Sequence, residues 1–91
     1  ERLIFIDKFL NYAVRRRGMV NMKIRSVEEL GEAIRTRRKE LHYTQAFLAE
    51  FTGFSVSFIS DVERGKATAE IGKTLQLLMI LGLDLSVERR A

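Results

Sequence analysis

Thr44-Gln45-Ala46-Phe47-Leu48-Ala49-Glu50, then Gly53, then Ser55-Val56-Ser57-Phe58-Ile59-Ser60-Asp61-Val62-Glu63-Arg64-Gly65-Lys66, is the part of the sequence that carries the architecture. Thr44 is placed to cap a short helix that runs through Glu50 or Thr52, because a threonine oxygen accepts a free backbone amide of the first turn. Gly53 supplies the permissive backbone of a tight turn. Ser55 is placed to cap the next helix, which runs to about Glu63 and closes at Arg64-Gly65-Lys66 with glycine just past its end. Two short helices joined by a glycine-containing turn form a helix-turn-helix layout, in which the second helix enters the major groove of DNA. Leu48, Ala49, Ile59 and Val62 are expected to face inward and fix the angle between the two helices. Ser55, Ser57, Phe58, Ser60 and Asp61 are left facing outward, a small-polar and aromatic surface suited to base edges and phosphates.

Upstream, Ser26-Val27-Glu28-Glu29 has the form of a capping box, in which Ser26 and Glu29 each satisfy the other's backbone amide. Val27, Leu30, Ile34 and Leu41 then make one apolar stripe, which predicts a helix from Ser26 to Leu41 with its arginines displaced from the stripe. Downstream, Thr68 is expected to cap a helix from about Ala69 to Leu81, ended by Gly82. Its apolar residues fall into two stripes, Ile71, Leu75 and Leu78 in one and Leu77, Ile80 and Leu81 in the other, so the helix should be covered on two sides. After Gly82 the period changes: Leu83, Leu85 and Val87 alternate with Asp84, Ser86 and Glu88, the pattern of a short strand. A lone strand leaves its amides unpaired. These features predict a homodimer held by Leu77, Leu81, Leu83, Leu85 and Val87, with the strand pairing between copies; the alternative is a helix wholly internal to one chain. Met22 to Arg25 reads as an extended segment beside that strand.

The expected organisation is an N-terminal extension over residues 1–22, a helix-turn-helix domain over 23–82 and a dimerisation strand and tail over 83–91. Within the extension, Leu3 to Val14 has an amphipathic helical pattern, while Met19 and Met22 are each alternative natural starts. The chain has 91 residues, no cysteine, proline or tryptophan, and a formal charge of +4. That length means one small domain with a thin core. Lacking cysteine, it has no disulfide framework or thiolate metal site, which suits the cytoplasm. The charge is unevenly spread. Residues 22–43 carry six basic and four acidic groups, whereas residues 44–65 carry Arg64 alone against Glu50, Asp61 and Glu63. Basic segments therefore flank the helices expected to meet DNA.

Residues 29 to 82 resemble the Cro and lambda-repressor type (XRE) helix-turn-helix family, on the pattern Thr-Gln-x-x-Leu-Ala, then Gly, then Ile-Ser and Glu-Arg-Gly-Lys. Residues 23 to 88, through Thr68-Ala69-Glu70-Ile71-Gly72 to Leu83-Asp84-Leu85, are similar to HipB-like antitoxins. The resemblance implies an all-α, lambda-repressor-like fold of four to five helices, completed by the C-terminal strand across a homodimer. It implies a sequence-specific transcriptional repressor on a palindromic operator of double-stranded DNA, and an antitoxin that represses its own operon and binds a HipA-like serine/threonine kinase toxin. By the same resemblance Gln45 contacts phosphate and buttresses the recognition helix, Ser55, Val56, Ser57 and Ser60 read bases, Phe58 touches a thymine methyl or the backbone, and Arg64 and Lys66 contact phosphates. The recognition face departs from better-endowed members in lacking glutamine, arginine and lysine, so specificity leans on DNA shape or flanking arginines.

Other residues carry plainer readings. Arg35, Arg37, Arg38 and Lys39 form either a solvated helix face or a set of phosphate contacts. Of Phe47, Phe51 and Phe58, two should lie outside the core, against residues 1–14, a second copy or a protein partner. His42 is a lone loop histidine, with neither a nucleophile nor a metal partner beside it. No enzyme, cofactor, metal site or membrane segment is expected. The competing readings are a stand-alone or phage-type regulator of the same family and a protein-interaction module built on the same scaffold.

Overall fold

The computed structural model describes residues 21–90, which form four helices: α1 over Val27–Glu40, α2 over Gln45–Thr52, α3 over Val56–Glu63 and α4 over Ile71–Ile80. The N-terminal amphipathic pattern lies outside the described residues. Three of the four helix starts follow the capping chemistry read from the sequence. Ser26, Thr44 and Ser55 accept from the backbone amides of Glu29, Phe47 and Phe58 at 3.0, 2.9 and 3.0 Å. Glu29 also reaches back, but to the amide of Arg25 at 2.9 Å, one residue before the cap. The fourth start differs from expectation. Helix α4 begins at Ile71 behind Glu70, with no side-chain cap, because residues 67–69 are taken up by a turn in which the Ala69 amide bonds Lys66 O.

The helix ends share one device. After α1, α3 and α4 the chain passes through a left-handed residue, His42 at φ 61°, Gly65 at 82° and Gly82 at 72°. In each case the next amide returns to the helix: Tyr43 to Arg38 O, Lys66 to Asp61 O and Leu83 to Leu78 O. This is the Schellman closure, and glycine is its usual occupant because the conformation crowds a Cβ.

One core unites the four helices. Ile34 of α1, Leu48 of α2, Ile59 and Val62 of α3, and Leu77, Leu78 and Leu81 at and beyond the end of α4 are buried together. Five of these are fully buried, each contributing about 1.5–3 kcal/mol of burial energy. Leu77 and Leu81 thus spend their surface inside the single chain. The apolar side chains that α4 exposes are Ile71, Leu75, Met79 and Ile80, the first three spaced four residues apart along one face.

Among the described residues no strand is formed. Leu83 packs against the core, but residues 83–90 carry no regular secondary structure, and Leu85 and Val87 are exposed. A β-ladder needs a second segment to accept its amides, and among the described residues none pairs with residues 83–87; Met22 to Arg25 does not serve. No helix of the described residues is long and apolar enough to cross a membrane.

Candidate nucleic-acid interface

Helices α2 and α3 meet through the Gly53 turn, whose φ of 80° is the left-handed value that glycine tolerates. Thr52 tightens this turn, its hydroxyl donating to Leu48 O and accepting from the Phe54 amide. The angle between the helices is set from below by Leu48, Ile59 and Val62, all buried, and by half-buried Ala49.

A polar network fastens the same junction. The Arg38 guanidinium donates to both carboxylate oxygens of Glu63, at 2.7 and 3.0 Å, and to Tyr43 O at 2.9 Å. Gln45 Nε2 donates to Glu63 Oε1 at 3.1 Å. The two ionic side chains are only 11% and 3% exposed. Arg38 on α1, Gln45 on α2 and Glu63 on α3 therefore tie three helices through one carboxylate. Beside it α1 approaches very closely: a Cβ on Gly31 would lie 2.4 Å from Val62 O and 2.6 Å from Glu63 O. Only a residue without a side chain lets α1 run against the end of α3.

The outward face of α3 holds most of the expected contact residues. Ser55, Val56 and Ser57 are exposed at its first turn, and Arg64 and Lys66 are exposed beyond its last. Ser60 and Asp61 are half-buried between them. Phe58 is a correction. Its ring is half-buried and packs against the core, edge-on to Phe54 with centroids 5.4 Å apart. Lys73 of α4 stands over both rings, with Nζ 5.8 and 5.7 Å from their centres, so it places a cation beside the start of α3 that no sequence motif marks.

The basic run on α1 divides three ways. Arg35 and Lys39 are exposed. Arg38 is spent on Glu63. Arg37 Nε donates to Leu81 O at 2.8 Å, closing the carbonyl end of α4, and its guanidinium pairs with Glu40. Arg37 and Arg38 are therefore structural and not a solvated face. Phe47 and Phe51 are exposed, as expected for two of the three phenylalanines, and stack in a row with Tyr43, at 4.8 and 6.1 Å between centroids. Together with Leu48 and Ile80 they line a shallow apolar groove. His42 occupies the left-handed position after α1, which gives it a backbone role.

Comparison with known proteins places this geometry. Residues 34–87 match the helix-turn-helix family. The chain is 40% identical over 65 residues to the uncharacterized HTH-type transcriptional regulator y4mF of Sinorhizobium fredii, covering 71% of this chain and 86% of that protein. It is 32% identical over 60 residues to the ImmF control region 10 kDa protein of Bacillus phage phi105, covering 66% of this chain and 67% of that one. Among solved structures it superposes on HipB in a variant O2 20mer complex with a TM-score of 0.70 and 26% identity, covering 77% of this chain and 97% of that one. A HipB-O4 20mer complex, at 24% identity and a TM-score of 0.69, shares the fold over 77% of this chain and 99% of its own. This chain belongs to the helix-turn-helix family of the XRE type and is similar in fold to HipB.

Proposed function

We propose that the protein is a sequence-specific DNA-binding transcriptional repressor that works by binding and not by catalysis, as a homodimer in the cytoplasm. The observation that carries this reading is the presentation of α3. Its first turn offers exposed Ser55, Val56 and Ser57, the cations Arg64 and Lys66 stand exposed beyond its last turn, and its inner side is fixed by the core and by the Arg38–Glu63–Gln45 network. A firmly held helix with a small-polar face and a basic C-terminal end suits major-groove entry. A two-fold dimer would set two such helices roughly 34 Å apart on a palindromic operator. Exposed Ile71, Leu75 and Met79, together with Leu85 and Val87, are apolar groups available to a second copy, and pairing of residues 83–87 between copies would supply a ladder that the described residues do not form.

The test is a binding titration on a duplex selected from a random pool by the protein itself. Log affinity should fall linearly with log salt, by about 0.9 per phosphate contact, and indifference to salt would sink the DNA reading. Gln45→Ala should weaken binding about tenfold, the worth of one hydrogen bond to a charged group, while leaving the dimer intact in light scattering. Unchanged affinity would remove Gln45 from the interface.

A finer reading makes the protein an antitoxin that partners a HipA-like serine/threonine kinase, supported by its similarity to HipB in fold and by the sequence resemblance. Similarity to a phage control-region protein supports a stand-alone regulator instead, and the Tyr43–Phe47–Phe51 row is the surface a protein-interaction module would use. A kinase reading frame beside the gene and co-purification of its product would favour the antitoxin. Their absence, with operator binding retained, would favour the stand-alone regulator.

A further inference from the structure

Two of the side chains expected to touch DNA, Arg64 and Lys66, converge on one acidic residue of the recognition helix, and Arg64 also holds Ser60. Arg64 Nη2 donates to Asp61 Oδ1 at 2.6 Å, Lys66 Nζ approaches Asp61 Oδ2 at 3.4 Å, and Arg64 Nη1 donates to Ser60 Oγ at 2.9 Å. Asp61 is the less exposed member, its side chain 27% accessible against 70% for Arg64 and 54% for Lys66. Both cations project to solvent from the end of α3, but each already has a carboxylate oxygen to itself. The arrangement copies a phosphate: two oxygens of one anion held by an arginine and a lysine.

We infer that Asp61 is a specificity-determining residue that holds Arg64 and Lys66 in internal pairs and so restrains binding to the DNA backbone in general. The inference rests on the DNA-binding reading and adds to it. A phosphate must displace the carboxylate to reach either cation, and the displaced carboxylate then stands near the negatively charged strand. On a random duplex nothing compensates that cost, since non-specific binding is almost wholly electrostatic. On a selected site base contacts from the exposed first turn of α3 offset it, and the freed carboxylate can accept from a cytosine amine in the groove. Asp61 therefore lowers affinity everywhere but lowers it most where sequence is wrong, which widens the gap between right and wrong sites.

The experiment measures Asp61→Asn, an isosteric change that keeps the helix surface, on two probes: a random-sequence duplex and the duplex selected by the wild-type protein. Releasing the two cations should steepen the salt slope on the random duplex by about one, which at 0.1 M salt is about a tenfold gain in affinity. The selected duplex should gain less, so the ratio of the two affinities falls at least about threefold. Glu88→Gln, an equal charge change in the exposed tail, should move neither probe. Adding Arg64→Ala to Asp61→Asn should cancel much of the gain, because the gain runs through the freed guanidinium. Equal gains for Asp61→Asn and Glu88→Gln, or a random-duplex affinity unchanged by Asp61→Asn while the wild type binds in a salt-dependent manner, would overturn the inference alone. Failure of wild type and variant to bind either duplex would overturn the DNA reading, and this inference with it.

Discussion

Helix α3 carries two acid–base pairs, two residues apart, that do opposite things. Glu63 meets Arg38 inside the molecule, with both carboxylate oxygens engaged and almost no exposure, while Asp61 meets Arg64 on the surface, where the arginine is 70% exposed. The inner pair also gathers Gln45 and the Tyr43 carbonyl, so no buried polar side-chain atom is left without a partner among the described residues. The outer pair is a solvated contact of a kind worth about 0 to 1 kcal/mol. Identical chemistry therefore sets the angle between helices on one side of α3 and leaves exchangeable cations on the other.

Breaking the inner pair should have the largest effect. Glu63→Ala leaves the Arg38 charge buried without a counter-ion, and removal of one member of such a pair costs about 3–5 kcal/mol. For a domain this small that approaches its whole stability. Urea melts should show the midpoint collapse, and DNA binding should be lost with the fold. Substituting Arg38 by Met and Glu63 by Leu together should recover part of that loss, since two apolar side chains need no counter-ion. Recovery cannot be complete, because Gln45 Nε2 and the Tyr43 carbonyl would still lose partners. A stable Glu63→Ala protein would erase the contrast between the two pairs.

The next effect comes from the approach of α1 to α3. Gly31→Ala would set a methyl 2.4 and 2.6 Å from the Val62 and Glu63 carbonyls, and backbone atoms cannot swing aside as a side chain can. Pushing the helices apart should cost about 1–3 kcal/mol and loosen the Arg38–Glu63 geometry with it. Thermal melts should place this variant between wild type and Glu63→Ala. A wild-type melting temperature would mean that α1 is not held against α3 by this contact.

What the sequence made legible follows the same division. Local signals were faithful: the hydroxyls of Ser26, Thr44 and Ser55 each found the amide three residues on, and the glycines at 53, 65 and 82 mark helix ends. Thr68 misled because a threonine signals a cap wherever a turn begins, and here the chain makes a further turn before α4. The run from Arg35 to Lys39 looked uniform because charge alone does not say which face a residue occupies. Arg38, expected off the apolar stripe with the other arginines, lies on it, four residues after Ile34 and three before Leu41, and is buried against Glu63. Gly31 lies three residues before Ile34 on that stripe, but its close approach depends on a partner helix that the sequence does not display. The place of Phe58 on the recognition helix predicts an outward ring, but the ring turns back onto Phe54 and the core. Residues 83–87 carry the alternating pattern of a strand, but a strand needs a partner segment, and none pairs with them among the described residues.

The smallest expected effect refines the inner side without touching the outer. Three helix ends share the Schellman closure, but only α1 makes it without glycine: His42 sits at φ 61°, whereas Gly65 and Gly82 take 82° and 72°. A left-handed residue with a Cβ carries steric strain that glycine avoids, and the greater freedom of glycine in the unfolded chain returns part of the gain. His42→Gly should therefore raise stability by about 0.5–1 kcal/mol, read as a shift of the urea midpoint at unchanged slope. The Tyr43 carbonyl that this turn delivers to Arg38 should hold its place, so affinity for DNA and its salt dependence should not move. If the variant gained stability but changed its DNA affinity, the scaffold side and the contact side of α3 would be coupled through α1, and the division between the two pairs would fail.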